Sequence, residues 1–313
     1  MHIATTKEIN ALMFKSCPLC QHPNLLHWFT FQGYPVMRCG KCGLTMLNPQ
    51  PDDATLASIY DEAYFIGSED KTLFAQASEL KRNTARLQLA QIAAHMPAKE
   101  AHTEKPRMLE VGCGLGNFMF EAQRAGFDVH GLDVSASAVN SANDLLGEER
   151  AHVGILETAD FTKESFDIIV LADVIEHARD PIALMKSVRA LVKQSGMIFI
   201  ALPSLDSLSA RLMGRHWMEF KREHLFYFDR NSLQLLLKAC GFEDITIYPG
   251  QKSLNLRYII NHFEKFPVPI LTPLMRFLGW ILPQGLLHAQ FHVVASGINA
   301  MARPQIPLSL SKK

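Results

Sequence analysis

Three groups of residues in this chain have the types and spacing of chemistry. Cys17-Pro-Leu-Cys20 and Cys39-Gly-Lys-Cys42 each offer two thiolates from one tight turn, with eighteen residues between the pairs. Two such turns close a tetrahedral S4 cage for zinc, and four cysteines leave no open coordination position, so the metal is expected to be structural. Residues 107–118 (Arg-Met-Leu-Glu-Val-Gly-Cys-Gly-Leu-Gly-Asn-Phe) read as a short buried strand broken by glycines and then an apolar helical pattern. Gly112, Gly114 and Gly116 carry no Cβ, so a ligand can lie against a main chain whose N–H groups are expected to point outward. The third group is Asp173-Val-Ile-Glu176-His177, with His224 further along. Such carboxylates and imidazoles act as general bases, bind an acceptor, or hold a divalent ion.

The glycine spacing separates two kinds of ligand. A dinucleotide turn wants G-x-G-x-x-G with a helix N-terminus aimed at a pyrophosphate. Here the run is G-x-G-x-G, Asn117 follows, and Glu110 sits at the end of the strand. A carboxylate beside the turn favours a cofactor carrying an amine or sulfonium. The next strand ends in Asp133, an acid placed to accept both ribose hydroxyls of an adenosine.

Glu110-x-Gly-x-Gly-x-Gly followed by Asp133 resembles the cofactor site of class I S-adenosylmethionine-dependent methyltransferases. The resemblance implies S-adenosyl-L-methionine as cofactor, held by Glu110, Gly112, Cys113, Gly114, Gly116, Asp133, Val134, Leu156, Glu157 and Ala172. Many such enzymes place an acid near the adenine after the third strand. This chain has Ile155-Leu156-Glu157 there, so the adenine is expected against Leu156 and backbone N–H groups. Ser165-Phe166-Asp167 with the 173–181 run resembles a signature of small-molecule methyltransferases, and puts 173–177 where the methyl group meets its acceptor. Ubiquinone-pathway O-methyltransferases have a similar acid-x-x-Glu-His run, which implies magnesium on Asp173 and Glu176; the alternative is that Glu176 and His177 hydrogen-bond within their loop. Asp173, Glu176, His177 and His224 are the catalytic candidates, with a loop-holding role competing for His224. The stretches "LNPQP…IYDEAYF" and "EHLFYFDRNSLQLLLKACGFE" are similar to zinc-ribbon-bearing methyltransferases, where helices before the core cover the cofactor; Tyr60 and Tyr64 are then lid candidates.

The elements that must position these groups follow from periodicity. Strands at 107–111, 127–132, 152–156, 166–172 and 197–202 alternate with helices, which predicts parallel pairing with right-handed crossovers. The expected fold is α/β, Rossmann-like and doubly wound, with a mostly parallel seven-stranded sheet and a small N-terminal zinc ribbon. Asp52 or Asp53 caps a first helix, a second runs from about Leu73 to His95, and Asp180-Pro181 opens another that reaches about Lys193. Ser195-Gly196 is expected to turn into the fifth strand. Asp229 to Ser232 begins a helix whose Leu233, Leu236, Leu237 and Cys240 share a face. A last strand, Phe291 to Met301, is expected antiparallel beside Ile245 to Tyr248. The organisation is then a ribbon at 1–50, a helical lid and linker at 51–100, and a core at 101–313 with substrate-side insertions at 203–230 and 252–288.

Composition bounds the partners. Of 313 residues, 48 % are hydrophobic and 20 % charged, which is enough apolar matter for a sizeable core. Formal net charge is zero, so the whole-molecule field selects no partner. Lys15, Arg38 and Lys41 are too few to argue for nucleic acid at the ribbon, and no Asn/Asp-Pro-Pro-aromatic loop of base methylators follows the fourth strand. After Asp244 the chain has one acid, Glu264, against seven Lys and Arg. Within that stretch, 258–287 is apolar, aromatic and proline-broken, which fits a membrane surface, a homodimer interface or a cap over the site. No apolar signal core or spanning run is present, so the chain is expected in the cytoplasm, peripheral at the inner membrane face on the membrane reading. The leading function is methyl transfer to a small-molecule or glycan-type acceptor at O, N or C. The alternatives are a lipid-linked or isoprenoid acceptor, a nucleic-acid or protein substrate docked through the ribbon, and a non-catalytic scaffold.

Overall fold

In the computed structural model, residues 12–59, 71–96, 104–265 and 267–306 are described. The lid candidates Tyr60 and Tyr64 lie outside them. The apolar runs form a seven-stranded sheet: β4 (Arg107–Val111), β5 (Asp128–Asp133), β6 (Ala151–Val153), β7 (Phe166–Ala172), β8 (Val192–Pro203), β10 (Phe242–Asn255) and β11 (Gln290–Pro304). Its order is β10-β11-β8-β7-β4-β5-β6. β4 to β8 pair in parallel, and β11 runs antiparallel to both β8 and β10. The central strands are buried on both faces, which is why β7 reads as a continuous apolar run. Two apolar clusters cover the sheet, one containing Leu109, Ile169 and Ile198, the other Met108, Ile168 and Phe199.

Connecting helices begin where the sequence supplies caps. Asp52 Oδ1 accepts from the Thr55 N–H at 2.7 Å at the start of α1 (Asp53–Ile59). α2 (Lys71–His95) precedes the core, α3 (Asn117–Arg124) follows β4 and α4 (Ala136–Leu146) follows β5. Asp180 caps α5 (Pro181–Leu191) by accepting from Ile182 and Ala183. After α6 (Leu208–Met213), Asp229 and Ser232 form a reciprocal capping box on α7 (Arg230–Ala239).

Two boundaries differ from expectation. β6 stops at Val153, so Leu156 lies in the turn beyond it. β8 begins at Val192 directly after α5, and Ser195-Gly196 is strand, not turn. A Cβ on Gly196 would lie 2.8 Å from the Asp167 carbonyl oxygen, so this glycine serves a close backbone approach where the β7–β8 register slips.

The cysteine-bearing segment forms β1 (Leu25–Phe31), β2 (Tyr34–Cys39) and β3 (Thr45–Leu47). β3 pairs antiparallel with β9 (Phe226–Tyr227), which comes from the 203–230 insertion, giving a sheet ordered β1-β2-β3-β9. Cys17, Leu44 and Met46 share one apolar cluster with Leu225, Phe228 and Leu236. Asn231 Nδ2 donates to the Cys42 carbonyl at 3.1 Å and Arg179 bonds Gln50 and Asp53. α2 is tied to α3 by the two-pronged Arg86–Glu121 pair, both bonds 2.9 Å, and to β10 through Ser253 N–H to Thr84 Oγ1. β10 and β11 run past β8 as a paired arm, Gln251–Asn255 against Val294–Gln290. That arm carries α8 (Leu256–Lys265), α9 (Leu271–Ile281) and α10 (Gln284–His288).

Candidate active site

The crevice at the carboxyl ends of β4, β5 and β7 begins with the glycine turn. Gly112, Gly114 and Gly116 have φ of +69°, +51° and +74°, where glycine alone is unstrained. A Cβ on Gly112 would meet Val174 Cγ2 at 2.7 Å, and one on Gly116 would meet Ala142 Cβ at 2.8 Å. A Cβ on Gly114 would meet nothing within 4 Å. The first and third glycines therefore let the protein pack on itself, and the middle one leaves open space over the turn.

The turn's N–H groups are spent inside the protein, contrary to the outward orientation expected. Gly112 and Cys113 donate to the Leu132 carbonyl, Gly116 to the Cys113 carbonyl, and Gly114 to Asp133 Oδ2 at 2.8 Å. Cys113 is buried in the core beneath and offers a ligand no side chain. A pyrophosphate would find few donors here. What faces the space is carboxylate. Asp133 also accepts from Ser135 N–H at 2.9 Å, and its oxygens keep lone pairs for two hydroxyls. Glu110 is 5 % exposed, and its Oε2 has no partner among the described residues. Burial raises its carboxyl well above the ordinary range, with the Asp133 charge adding to this. An orphaned buried carboxyl beside a bare glycine fits a cationic ligand such as an adenosyl sulfonium carrying an α-amino group.

On the adenine side Val134 and Ile155 are 59 % and 47 % exposed, whereas Leu156 is 5 % exposed and packs in the core. Leu156 therefore supports that wall from behind, and Ile155 takes the surface position expected of it. Glu157 is exposed and Ala172 is half-buried at the end of β7.

Asp173 turns the chain out of β7 with φ +55°, and Ile175–His177 form a 3-10 turn. That turn brings Glu176 and His177 to His224, with the imidazole centroids 4.7 Å apart and nearly perpendicular. Ligand atoms of Glu176, His177 and His224 all lie within 4.8 Å of one another. Neither Glu176 oxygen nor His224 Nδ1 has a hydrogen-bond partner among the described residues. Burial, then the Asp173 charge, raises the Glu176 carboxyl well above its usual value. Burial pushes the His177 imidazole down to about 4 and the His224 imidazole well below its usual value, the latter helped by His177 and Lys221.

Of the two residues expected to hold magnesium, only Glu176 belongs to this cluster. Asp173 is outside the cluster, and its carboxylate faces Lys252 Nζ at 3.8 Å. Two imidazoles and one carboxylate are also not the all-oxygen set that magnesium prefers; they suit zinc or another borderline divalent ion.

Sequence reasoning missed the charges opposite this trio. Glu219 pairs with Lys221 at 3.0 Å and accepts from Ser296 Oγ at 3.1 Å. Burial raises its carboxyl, but Lys221, Lys252 and His224 outweigh that and hold it below the usual range. Lys81 of α2 is accessible to solvent, yet the protein around it displaces enough water to push its ammonium down, against the pull of Asp173. Only the charge-rich "EFKREH" run hinted at Glu219 and Lys221; Lys81 and Lys252 carry no local signal.

In the N-terminal cluster the Cys17 and Cys42 sulfurs are 3.5 Å apart and those of Cys20 and Cys39 3.6 Å. Both separations are far longer than a disulfide and near the edge of about 3.8 Å that a tetrahedron with zinc–sulfur bonds of about 2.3 Å would have. All four sulfurs lie within 4.8 Å. Burial holds the Cys17 thiol up at about 11. Burial also raises Cys39, but N–H groups of Cys42 and Lys41 outweigh it and bring that thiol to about 7. The donor set fits zinc.

Glycine cradle, Asp133 and strand order together define a class I S-adenosylmethionine-dependent methyltransferase. A family model described as a methyltransferase domain matches residues 76–247, and the chain belongs to that family. It is 32 % identical over 120 residues to a ubiquinone biosynthesis O-methyltransferase of Rhodopseudomonas palustris, across 36 % of this chain and 42 % of that one. The chain thus aligns with less than half the length of that curated relative. Among solved structures, a SAM-dependent methyltransferase of Thermotoga maritima superposes with TM-score 0.50 at 15 % identity, covering 75 % of this chain and 96 % of that one. A Bacillus subtilis protein does so with TM-score 0.50 at 16 % identity, covering 72 % and 99 %. Likeness at that identity concerns the fold alone.

Proposed function

We propose that this protein transfers the methyl group of S-adenosyl-L-methionine to a small-molecule or glycan-type acceptor, with the cysteine cage holding a structural zinc. The single observation that carries the reading is the buried Glu176–His177–His224 trio, on the loop after β7 whose Val174 packs against Gly112 of the glycine turn. When bound, the cofactor supplies an electrophilic methyl group on a sulfonium. Glu110 and Asp133 answer the cofactor's amine and ribose hydroxyls, and the bare Gly114 lets it lie against the turn. His224, with Nδ1 unpartnered, takes the proton from the acceptor's nucleophile. His177 holds the facing edge of that imidazole, and Glu176 lies beside both rings. Enclosure of the trio excludes water from the transfer.

The test is calorimetric titration with S-adenosyl-L-methionine, followed by mass spectrometry of acceptor pools for a methyl increment. No binding at millimolar cofactor by folded protein would overturn the reading. His224→Ala should keep cofactor affinity and lose turnover by about 10² or more. A second reading is favoured by the convergence of the same three ligand atoms: a borderline divalent ion held there, lowering the pKa of an acceptor hydroxyl. Metal analysis separates the two, since one zinc per chain accounts for the cysteine cage and a second equivalent, lost in His224→Ala, would place an ion in the crevice.

A further inference from the structure

Among the described residues, the large apolar side chains left in solvent concentrate on one body. Ile270 is 84 % exposed, Trp280 82 %, Leu286 58 %, Phe277 54 %, Ile281 48 % and Leu274 46 %. From the cap residue onward, 270, 274, 277 and 281 follow the spacing of a single helix face, with Trp280 beside Phe277. The other side of α9 is already used. A Cβ on Gly279 would lie 3.1 Å from Ile260 of α8, and Thr272 Oγ1 donates to the Phe263 carbonyl at 3.2 Å. The helix is therefore seated, and its outward face is apolar by construction. A row of exposed apolar side chains along one helix face marks an interaction surface.

Charge selects the occupant. Glu264 is the last acidic residue in the chain, and it pairs with Arg276 at 3.3 Å. From Lys265 to Pro304 there is no carboxylate side chain at all, while Arg257 of α8, Lys265 and Arg276 supply cations on this body. Ile270 and Trp280, each more than four-fifths exposed, project into solvent and do not line a groove. Projecting apolar side chains with tryptophan at their edge and an acid-free surround match the interface of an anionic bilayer.

We infer that α9, with the adjoining Leu286, docks this protein on a lipid surface bearing anionic headgroups. Partial burial of Phe277, Trp280 and Ile270 among the acyl chains supplies the apolar contribution, and the basic residues supply attraction to the headgroups. α8 links this surface to the crevice, since it continues directly from β10, whose Lys252 faces Asp173 at 3.8 Å. On the methyl-transfer reading, the acceptor would then be taken from, or returned to, the membrane surface. The docking itself stands apart from that reading, because it is measured with neither cofactor nor acceptor.

The experiment is flotation of the full chain with phosphatidylcholine vesicles, with and without phosphatidylglycerol. Binding should require the anionic lipid and weaken with added salt. Phe277→Asp with Trp280→Asp should lower the bound fraction by about tenfold or more while thermal unfolding stays unchanged. As an independent readout, Trp280 emission should shift to the blue on anionic vesicles, and the shift should vanish in Trp280→Phe. No flotation with anionic vesicles at low salt overturns the inference. So does binding undiminished in the double variant, which would reduce the contact to charge alone. A concentration-dependent dimer abolished by the same two substitutions, without vesicle binding, would assign the face to a second copy instead.

Discussion

The Gly114 N–H donates to Asp133 Oδ2 at 2.8 Å, which fixes the glycine turn after β4 to the tip of β5. The same carboxylate accepts from Ser135, the cap of α4. One side chain thereby sets the relation of two strands and a helix start, while keeping lone pairs directed at the crevice. Recognition of the cofactor and rigidity of its seat are coupled through this residue. Asp133→Asn must turn its amide NH2 toward one of the two N–H donors. It should lower S-adenosyl-L-methionine affinity by about tenfold or more, which is about 1.4 kcal/mol, read by calorimetry. Wild-type affinity in that variant would mean the ligand lies elsewhere.

The glycines should separate stability from binding. All three carry positive φ, so any alanine there costs roughly 1–2 kcal/mol of strain. Gly116→Ala adds a collision with Ala142, whose Cβ and Cα lie 2.8 and 3.0 Å away and belong to a packed helix. Overpacking of that kind typically costs a further 1–3 kcal/mol or so. Gly114→Ala meets nothing, so it should unfold only slightly earlier than wild type yet bind cofactor at least ~tenfold more weakly. Paired thermal melts and titrations check both. Equal losses of affinity and stability in the two variants would contradict the assignment of the open space.

Stability should fall on the acid side of neutrality through the two histidines. In the unfolded chain an imidazole titrates near 6.5. In the fold, burial pushes His177 to about 4 and His224 well below its usual value. Below about pH 6.5 the unfolded state therefore binds protons that the folded state refuses, and stability drops as pH falls. For His177 the loss runs from about 6.5 down to about 4 and then levels off, with an upper limit of order 3 kcal/mol. Urea midpoints between pH 7.5 and 4.5 should show this slope, and the double variant His177→Asn, His224→Asn should flatten it. A slope unchanged in that variant would assign the acid sensitivity to other groups.

The parts of the site legible in advance were those written locally. Glu110, the glycines and Asp133 sit at strand ends that apolar periodicity marks, and Asp180-Pro181 announces its own helix. What escaped depends on distant pairing. Lys252 reaches Asp173 only because β10 and β11 run beyond β8 as an arm, and no spacing near Lys252 shows this. His177 and His224 were each singled out, but their loops are joined by the Leu225 N–H donating to the Glu176 carbonyl at 2.8 Å, just before β9, a strand of two residues too short to register as a pattern. The orientation of the turn's N–H groups was misjudged for a related reason: Leu132 lies on the neighbouring strand, and its carbonyl takes two of them.

That short strand gives the cysteine cage a reach beyond itself. Thr45 and Met46 pair with Tyr227 and Phe226, and Asn231 holds the Cys42 carbonyl. His224 is two residues from β9. Cys20→Ser should abolish one equivalent of bound zinc by elemental analysis. It should also raise amide exchange at 224–228 well before it raises exchange in β4 and β7, whose partners lie in the parallel sheet. Protection at 224–228 that survives loss of the metal would show the joint holding without the cage.

The last prediction concerns the asymmetry of an ion cluster. Glu219 is answered by Lys221 at 3.0 Å and feels Lys252 and His224 as well, whereas the ammonium of Lys221 depends chiefly on Glu219. The side chains are only 16 % and 26 % exposed, so solvent compensates a lost partner poorly. Lys221→Gln leaves Glu219 still facing Lys252, and the cost should be about 1 kcal/mol. Glu219→Gln strips Lys221 of its chief countercharge and takes a second carboxylate from Lys252, which keeps Asp173, and should cost about 2–3 kcal/mol. Because they share one interaction, the two losses should fall short of additivity in the double variant by about 0.5–1 kcal/mol or more. Denaturant unfolding of the four proteins at pH 7.5 measures the cycle. Equal single-variant costs that simply add would mean Glu219 and Lys221 are neighbours without coupling, and would remove Glu219 from the group that sets the charge of the crevice.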